Sequence, residues 1–369
     1  MRRGETRRSI RDDHIRPRFL LNGFGWADGV CHAKIEGKLG YDEVIMQADK
    51  LRQVKNAVLK LRQQLRAGQV YQSLPVRVAT LIEQLPQTVA TTVTLPSDED
   101  VLPLIKTLHD QLAQGTLTTI SDEQLGLLVA HIGSRDPLVR DQGVYYLLNE
   151  ALQQQVLTPA QLGDIFDQLS QDQRLFAHID EPQNDAIYQR SFSVLLLSVL
   201  MYADHAGLKF MTPARLDLVV TQMAVYILLE TDTRGFIGTT GWAHAYTHIG
   251  NILDELADES ELARADKLLL LAVLIGRYQT LTTPLIFGEP ERLSTYLTLI
   301  ANKDDLYCDY LLAAFKEWHR QLMSHTRPVS EAEWTQIFNR NRLLEALALH
   351  DDLPTAVVDY LDDELEFLG

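Results

Sequence analysis

The sequence predicts an all-α protein, a pile of helical hairpins, on three observations. Apolar residues recur at three- and four-residue spacing in successive segments from about Tyr41 onward. Helix starts and stops follow one another regularly after Pro96, with Thr158-Pro159 and Thr212-Pro213 among the starts and Gly115 among the stops. Repeated strands of alternating polarity between the helical segments are missing, which argues against a sheet-based fold.

The elements follow in order. Leu51, Val54, Val58, Leu61 and Leu65 line one face of a first helix, which Gly68 ends. A stretch punctuated by Pro75, Pro86 and Pro96 comes next, and within it Thr88–Thr94 has the composition of a short extended piece too isolated for a sheet. Ser97-Asp98 opens a helix to Leu112, and Ser121-Asp122-Glu123 opens another to about Ile132. In Asp136-Pro137-Leu138-Val139-Arg140, Asp136 is the cap, Pro137 sits in the first turn where its missing N–H costs nothing, and Val139 begins the apolar face. This resembles the D-P-x-V-R entry into the second half of a HEAT repeat. Further helices are expected at Thr158–Leu169, Ile187–Ala206, Thr212–Glu230, Thr240–Ala257 and Glu261–Tyr278, then at about Glu289–Ala301, Lys303–Ser324, Ser330–His350 and Leu353–Phe367. Helices of this length joined by short loops predict a HEAT-like α-α superhelix, a solenoid of helical hairpins.

Composition narrows the function classes. The 369 residues carry a net charge of −16, which disfavours phosphate backbones and anionic lipid surfaces as partners. Cys31 and Cys308 are far apart and have no companions at metal-ligand spacing, so neither a disulfide framework nor a cysteine zinc site is expected; a reducing, cytoplasmic setting fits. The longest weakly polar run, Ser191–Ala203, is too short to cross a bilayer, which takes about 20 apolar residues. Met1–Gly40 reverses the charge balance, with nine basic residues against five acidic, leaving 25 and 45 of the totals of 34 and 50 to the remainder. It lacks helical periodicity and the apolar core of a secretory or twin-arginine signal. Residues 1–45 are therefore expected to be a dispensable extension, with Met46 an alternative start, and residues 46–369 a single α-solenoid domain.

The stretch Arg234–Ala257 concentrates the side chains that carry chemistry. On a helix over Thr240–Ala257, Trp242, Tyr246, Ile249, Leu253 and Leu256 share an apolar face, while His244, His248, Asn251 and Glu255 share the opposite stripe. The stripe has several readings: the solvated back of an amphipathic helix, a buried hydrogen-bonded histidine, a metal chelate, or the wall of a polar cleft. His244 and His248 have chelate spacing, but Ala245 stands where a metalloprotease needs its glutamate, and no third ligand lies at good spacing; no metal and no cofactor are expected. The preceding loop is long and holds Gly235, Gly238 and Gly241, in an order that is no phosphate-binding fingerprint, and Asp232 is placed to pair with Arg234. Arg190 begins a nearly charge-free helix and requires a carboxylate, for which Asp180 and Asp185 are candidates. If alternate helices share a layer, Arg190 and His244 come to the same end of neighbouring parallel helices. The candidate cleft is thus Arg190, Asp232, Arg234, Trp242, His244, His248 and Asn251, with Trp242 expected in the core and His244 within reach of Arg190.

The segments R-G-F-I-x3-G-W-A-H-A-x2-H and R-S-F-S resemble an uncharacterised bacterial family of all-helical domains of unknown function, some of whose members are labelled membrane-spanning. The matched positions are Arg190, Ser191, Phe192, Arg234, Gly235, Gly241, Trp242, His244 and His248. The resemblance runs from about Met46 to the end of the chain and implies no activity. In the family pattern an acid often stands where this chain has Asn251, which further weakens a metal reading. Two functions remain in view. One is a non-enzymatic helical-repeat protein binding a protein or peptide. The other is a small-molecule binder or enzyme using Arg190, Arg234, His244 and His248, with a small anionic ligand as its partner.

Overall fold

The computed structural model describes residues 41–85, 88–324 and 327–368. The expectations for Met1–Gly40, Cys31 included, lie outside these residues. Leu39–Gly369 cluster as one compact unit. Among the described residues are fifteen α-helices: α1 Tyr41–Arg66, α2 Leu74–Glu83, α3 Leu102–Ala113, α4 Asp122–Ala130, α5 Tyr146–Gln153, α6 Pro159–Leu169, α7 Asp172–Leu175, α8 Ile187–His205, α9 Pro213–Leu229, α10 Ala245–Asp258, α11 Arg264–Gln279, α12 Glu289–Lys303, α13 Asp305–Ser324, α14 Glu331–Leu347 and α15 Thr355–Leu368. The one sheet among them is a two-stranded ribbon, β1 Phe236–Ile237 and β2 Gly241–Trp242, pairing Phe236 with Trp242 and Ile237 with Gly241 in antiparallel register.

Several helix starts follow the local chemistry read from the sequence, but not Ser97-Asp98: Ser97 makes no cap hydrogen bond, Asp98–Asp100 forms only a 3-10 turn, and α3 begins at Leu102. Ser121 and Thr158 form capping boxes with Gln124 and Gln161, and Thr212 accepts from the Arg215 amide ahead of Pro213. Asp136 accepts from the Leu138 amide, but the turn it caps is wide: Leu138–Tyr145 is a π-helix that passes into α5. A Cβ on Gly143 would stand 3.0 Å from the Leu138 carbonyl oxygen and 2.6 Å from Ile105, so only glycine fits there without a shift. Thr88–Thr94 is extended and unpaired by any strand; the Thr88 amide donates to the Asp180 carbonyl and the Thr91 amide to Glu181.

Packing alternates along the chain. α8 packs on α10, α10 on α12 and α12 on α14, while α9 packs on α11 and α11 on α13. α4, α6 and α8 form a further run of neighbours, and α1 lies against both α9 and α11. Arg62 of α1 fastens that contact through Asp266 of α11, at 2.8 and 3.0 Å, and through Thr221 of α9. α8 and α10 are parallel. The α10 start meets the α8 start where His248 reaches the Ser191 carbonyl, and their far ends meet where His205 reaches Glu255 and Glu259. No helix of the described residues is long and apolar enough to cross a membrane.

Candidate functional site

The helix expected over Thr240–Ala257 begins five residues late, and that changes what its first residues do. Gly241 has φ 76° and ψ −148°, a region open in practice to glycine alone, and His244 has φ 51°. The chain therefore turns back on itself, with the Ala243 amide donating to the Gly235 carbonyl and the His244 amide to the Arg234 carbonyl. Trp242 lies on β2, not on α10, and is half-buried rather than core. The rest of the expected apolar face holds: Tyr246, Ile249, Leu253 and Leu256 are buried.

The loop is pinned from four sides. Arg140 donates to the Thr240 carbonyl at 2.9 Å, and the Tyr188 hydroxyl lies 2.5 Å from the Thr240 hydroxyl. Arg234 donates to the Asn184 carbonyl at 2.7 Å, and the hydroxyls of Thr233 and Thr283 lie 2.7 Å apart. Phe287 rests on Gly235, where a Cβ would come within 2.5 Å of its ring.

Each cation at this corner is already neutralised. Arg190 is 2% exposed, and its partner is Glu230, at 3.0 and 3.2 Å, rather than Asp180 or Asp185. Its remaining donors go to the Ala177 carbonyl and the Asn184 side chain. Burial lowers the Arg190 pKa, and the Glu230 carboxylate more than offsets this, so the net direction is up. Glu230 also accepts from the Asp232 amide, and its carbonyl accepts from Tyr246. Arg234 pairs with buried Asp232 at 2.6–3.0 Å. Arg140, fully buried and absent from the expected cleft, pairs with Asp141 at 2.8 and 3.2 Å and lies over the rings of Tyr188 and Phe192 at 4.3 and 4.8 Å. Burial lifts the Asp141 carboxyl above its ordinary range against the pull of Arg140.

The histidines are not a solvated stripe. His248 is buried, its Nδ1 donates to the Ser191 carbonyl at 2.9 Å, and Phe192 meets its ring edge-on at 5.3 Å. Burial lowers its pKa to about 3, with His244 and Arg140 adding to the effect. The His244 ring lies under Trp242, with centroids 4.1 Å apart, and its Nε2 is closed off from solvent without a partner. Burial lowers its pKa to about 4. The cation beside the pair is thus Arg140; the Arg190 donors are spent elsewhere. Asn251 is buried and accepts from Arg292 of α12, which also holds Asp254. No group of three or more metal-ligating side chains stands together among the described residues.

Above the histidines lies a feature the sequence did not announce. Phe236 and Phe287 are 48% and 44% exposed, and Trp242 stands between them. The Phe236 and Trp242 centroids are 4.9 Å apart at 74°, and those of Trp242 and Phe287 are 5.8 Å apart at 82°. Exposed Ile286 extends the patch. The signal available in the sequence was Arg140 in the D-P-x-V-R segment and the pair Ile286-Phe287 just before a helix start, though neither fixes a position in space.

Residues 175–349 match the model of a family described as "Protein of unknown function (DUF2785)". The match contains α8 to α14, and with them the hairpin, both histidines and the aromatic patch. No curated protein and no solved structure matches the chain.

Proposed function

We propose that this is a HEAT-like solenoid that binds a protein or peptide through the Phe236–Trp242–Phe287 ridge. One observation carries the binding reading: three contiguous aromatic rings, two of them nearly half exposed, are formed by Phe236 and Trp242 of a hairpin held by side-chain hydrogen bonds and buried ion pairs and by Phe287, which packs on it just before α12. Aromatic side chains on a rigid support are the usual anchors of protein interfaces, because they bury a large area at little cost in conformational entropy. The alternate packing of α8, α10, α12 and α14 against that of α9, α11 and α13 supports the solenoid. Residues 46–369 as one domain, a dispensable residue 1–45 extension and a cytoplasmic setting belong to the same proposal.

The reading as an enzyme or binder of a small anionic ligand has less support. Its cations, Arg190 and Arg234, are taken up by Glu230 and Asp232, and its bases, His244 and His248, lie beneath the aromatic layer. A random peptide library displayed on phage and selected against the full chain tests the proposal. Selected peptides are expected to lose binding to a Phe236→Ser/Phe287→Ser double variant that keeps the wild-type circular dichroism and a single cooperative melting transition. Peptides that bind wild type and variant alike, or a selection that enriches nothing, overturn it.

A further inference from the structure

We infer that the occupant of this ridge is a proline-rich segment with basic flanks, bound in the polyproline II conformation. The inference rests on the peptide-binding reading above and names the chemistry of the partner.

Ring geometry is the first argument. A cage for a quaternary ammonium or methylated lysine needs rings set apart, so that the cation stands within about 6 Å of each centroid with nothing between them. Here Phe236 and Trp242 touch edge to face at 4.9 Å, and Trp242 and Phe287 at 5.8 Å, which fills that space. Rings packed in this way form a ridge, with the exposed phenyl rings of Phe236 and Phe287 on either side of the half-buried indole. Exposed aromatic rings accept pyrrolidine rings, which are flat, apolar and already fixed in φ.

The second argument is a donor. The Trp242 indole N–H makes no hydrogen bond among the described residues, and it is absent from the polar atoms sealed from solvent without a partner. A polyproline II segment has no internal hydrogen bonds and offers its carbonyls outward. An indole N–H that is neither paired nor sealed from solvent, between exposed aromatic rings, is complementary to such a carbonyl. The hairpin pins fix its direction through Thr240 and Arg234.

Charge supplies the third. Asp136 is exposed beside Pro137, whose Cβ lies 3.4 Å from where a Cβ on Gly241 would stand, and Glu291 is exposed one turn beyond Phe287. The arginines of this corner, Arg140, Arg190 and Arg234, are each paired with a carboxylate, and exposed Arg135 beside Asp136 pairs with Asp185 at 3.1 Å. From Tyr41 on, the chain holds 25 basic against 45 acidic residues. Lysine or arginine flanking the prolines meets a complementary field, and the contribution weakens with salt.

Two-dimensional 15N–1H spectra of the full chain, titrated with synthetic peptides, test the inference. Its four tryptophans give four indole signals, and Trp242→Phe assigns the one that matters. A lysine-flanked peptide with two Pro-Pro-x-Pro units is expected to shift the Trp242 indole signal. The same peptide with alanine for proline should bind at least about tenfold more weakly, and one with glutamate flanks several-fold more weakly at low salt. Trp242→Phe, which keeps a ring and loses the donor, should weaken binding several-fold while Phe236→Ser/Phe287→Ser abolishes it. Equal affinity for the alanine and proline peptides overturns the inference, as does binding that leaves the Trp242 signal unmoved. If library-selected peptides without proline bind the ridge and the proline peptides do not, this inference fails and the broader reading stands.

Discussion

Helices α8 and α10 run side by side and carry histidines where their starts meet and where their far ends meet, yet the two places hold opposite charge states. At the starts, His248 donates Nδ1–H to the Ser191 carbonyl beside the ring of Phe192, and burial drives its pKa down to about 3. At the far ends, His205 lies with Nδ1 3.0 Å from Glu255 and Nε2 3.1 Å from Glu259. Two carboxylate acceptors require two N–H donors, so this ring is an imidazolium. Its pKa is raised, first by the hydrogen bond to Glu255 and, against the opposing effect of burial, by Glu259. Location on the helix pair does not decide the charge; what lies against each ring nitrogen does. The neutral histidines belong to the structural support of the aromatic ridge, and the charged one joins the helix ends.

The largest expected effect comes from removing the buried charge that keeps the first place closed. Arg190→Met leaves Glu230 ionised and unpaired in the interior, and a loss of about 3–5 kcal/mol in urea unfolding is expected. Adding Glu230→Gln removes the stranded charge and keeps an acceptor for the Asp232 amide. This double variant should recover at least about 1–2 kcal/mol of the loss. No recovery would mean that Arg190 matters for its volume and not for its pairing with Glu230.

That pairing also marks where the sequence stopped being informative. Thr-Pro starts are local chemistry, so the boundaries of α6 and α9 fall within a residue or so of expectation. Arg190 and Glu230 are forty positions apart, and nothing near Arg190 in the chain points to Glu230 over Asp180 or Asp185. The hairpin was hidden for another reason. Its strands are two residues each, too short for alternation to register, and Trp242 happens to fall in phase with Tyr246 and Ile249. Only the backbone at Gly241 and His244 shows that the phase is a coincidence. Arg190, Arg234, His244 and His248 gather at one corner of the fold, as their spacing in the sequence suggested, while Arg140 was visible only as part of a helix entry.

The second effect is on pH dependence, and the two places have opposite signs. His244 and His248 stay neutral when folded and accept a proton when unfolded near the ordinary value of about 6.5. Stability they contribute is complete above that value and falls as the pH drops toward about 4 and about 3. Each fully coupled group costs about 1.4 kcal/mol per pH unit in that window. His205, with a raised folded pKa, contributes stability that is present below about 6.5 and lost as the pH rises through its folded value. Because His205 is partly exposed, that contribution is at most about 1 kcal/mol. Histidine ring signals followed by NMR should show His205 titrating above 6.5 and the other two silent from pH 5 to 8. Titration of His248 near 6.5 would remove the contrast.

A third variant loosens the cover from the outside. Gly241→Ala forces a side chain into a conformation that costs about 1–3 kcal/mol and brings its Cβ to 3.2 Å from the Arg140 guanidinium. Unfolding should report a loss in that range, and the His244 pKa should rise from about 4 toward its ordinary value as water reaches the ring. A destabilised variant whose His244 remains silent would separate the hairpin from the protection of the histidines.

The smallest effect is expected at the outermost ring. Phe236 is nearly half exposed and touches Trp242 edge-on, whereas Phe192, beneath the same hairpin, is buried between Arg140 and His248. Phe192→Ala opens a cavity and should cost about 3–5 kcal/mol. Phe236→Ser gives up little buried area and one edge-to-face contact, which is a loss of about 1 kcal/mol or less. It should leave His244 and His248 silent between pH 5 and 8, since their protection comes from Trp242, Phe192 and the helices below. A surface phenylalanine that stability does not need, on a hairpin held this firmly, is what the proposed peptide-binding ridge requires. Measuring both variants by urea unfolding decides the point: if Phe236→Ser costs as much as Phe192→Ala, the ridge is part of the core and its exposure carries no argument for a partner.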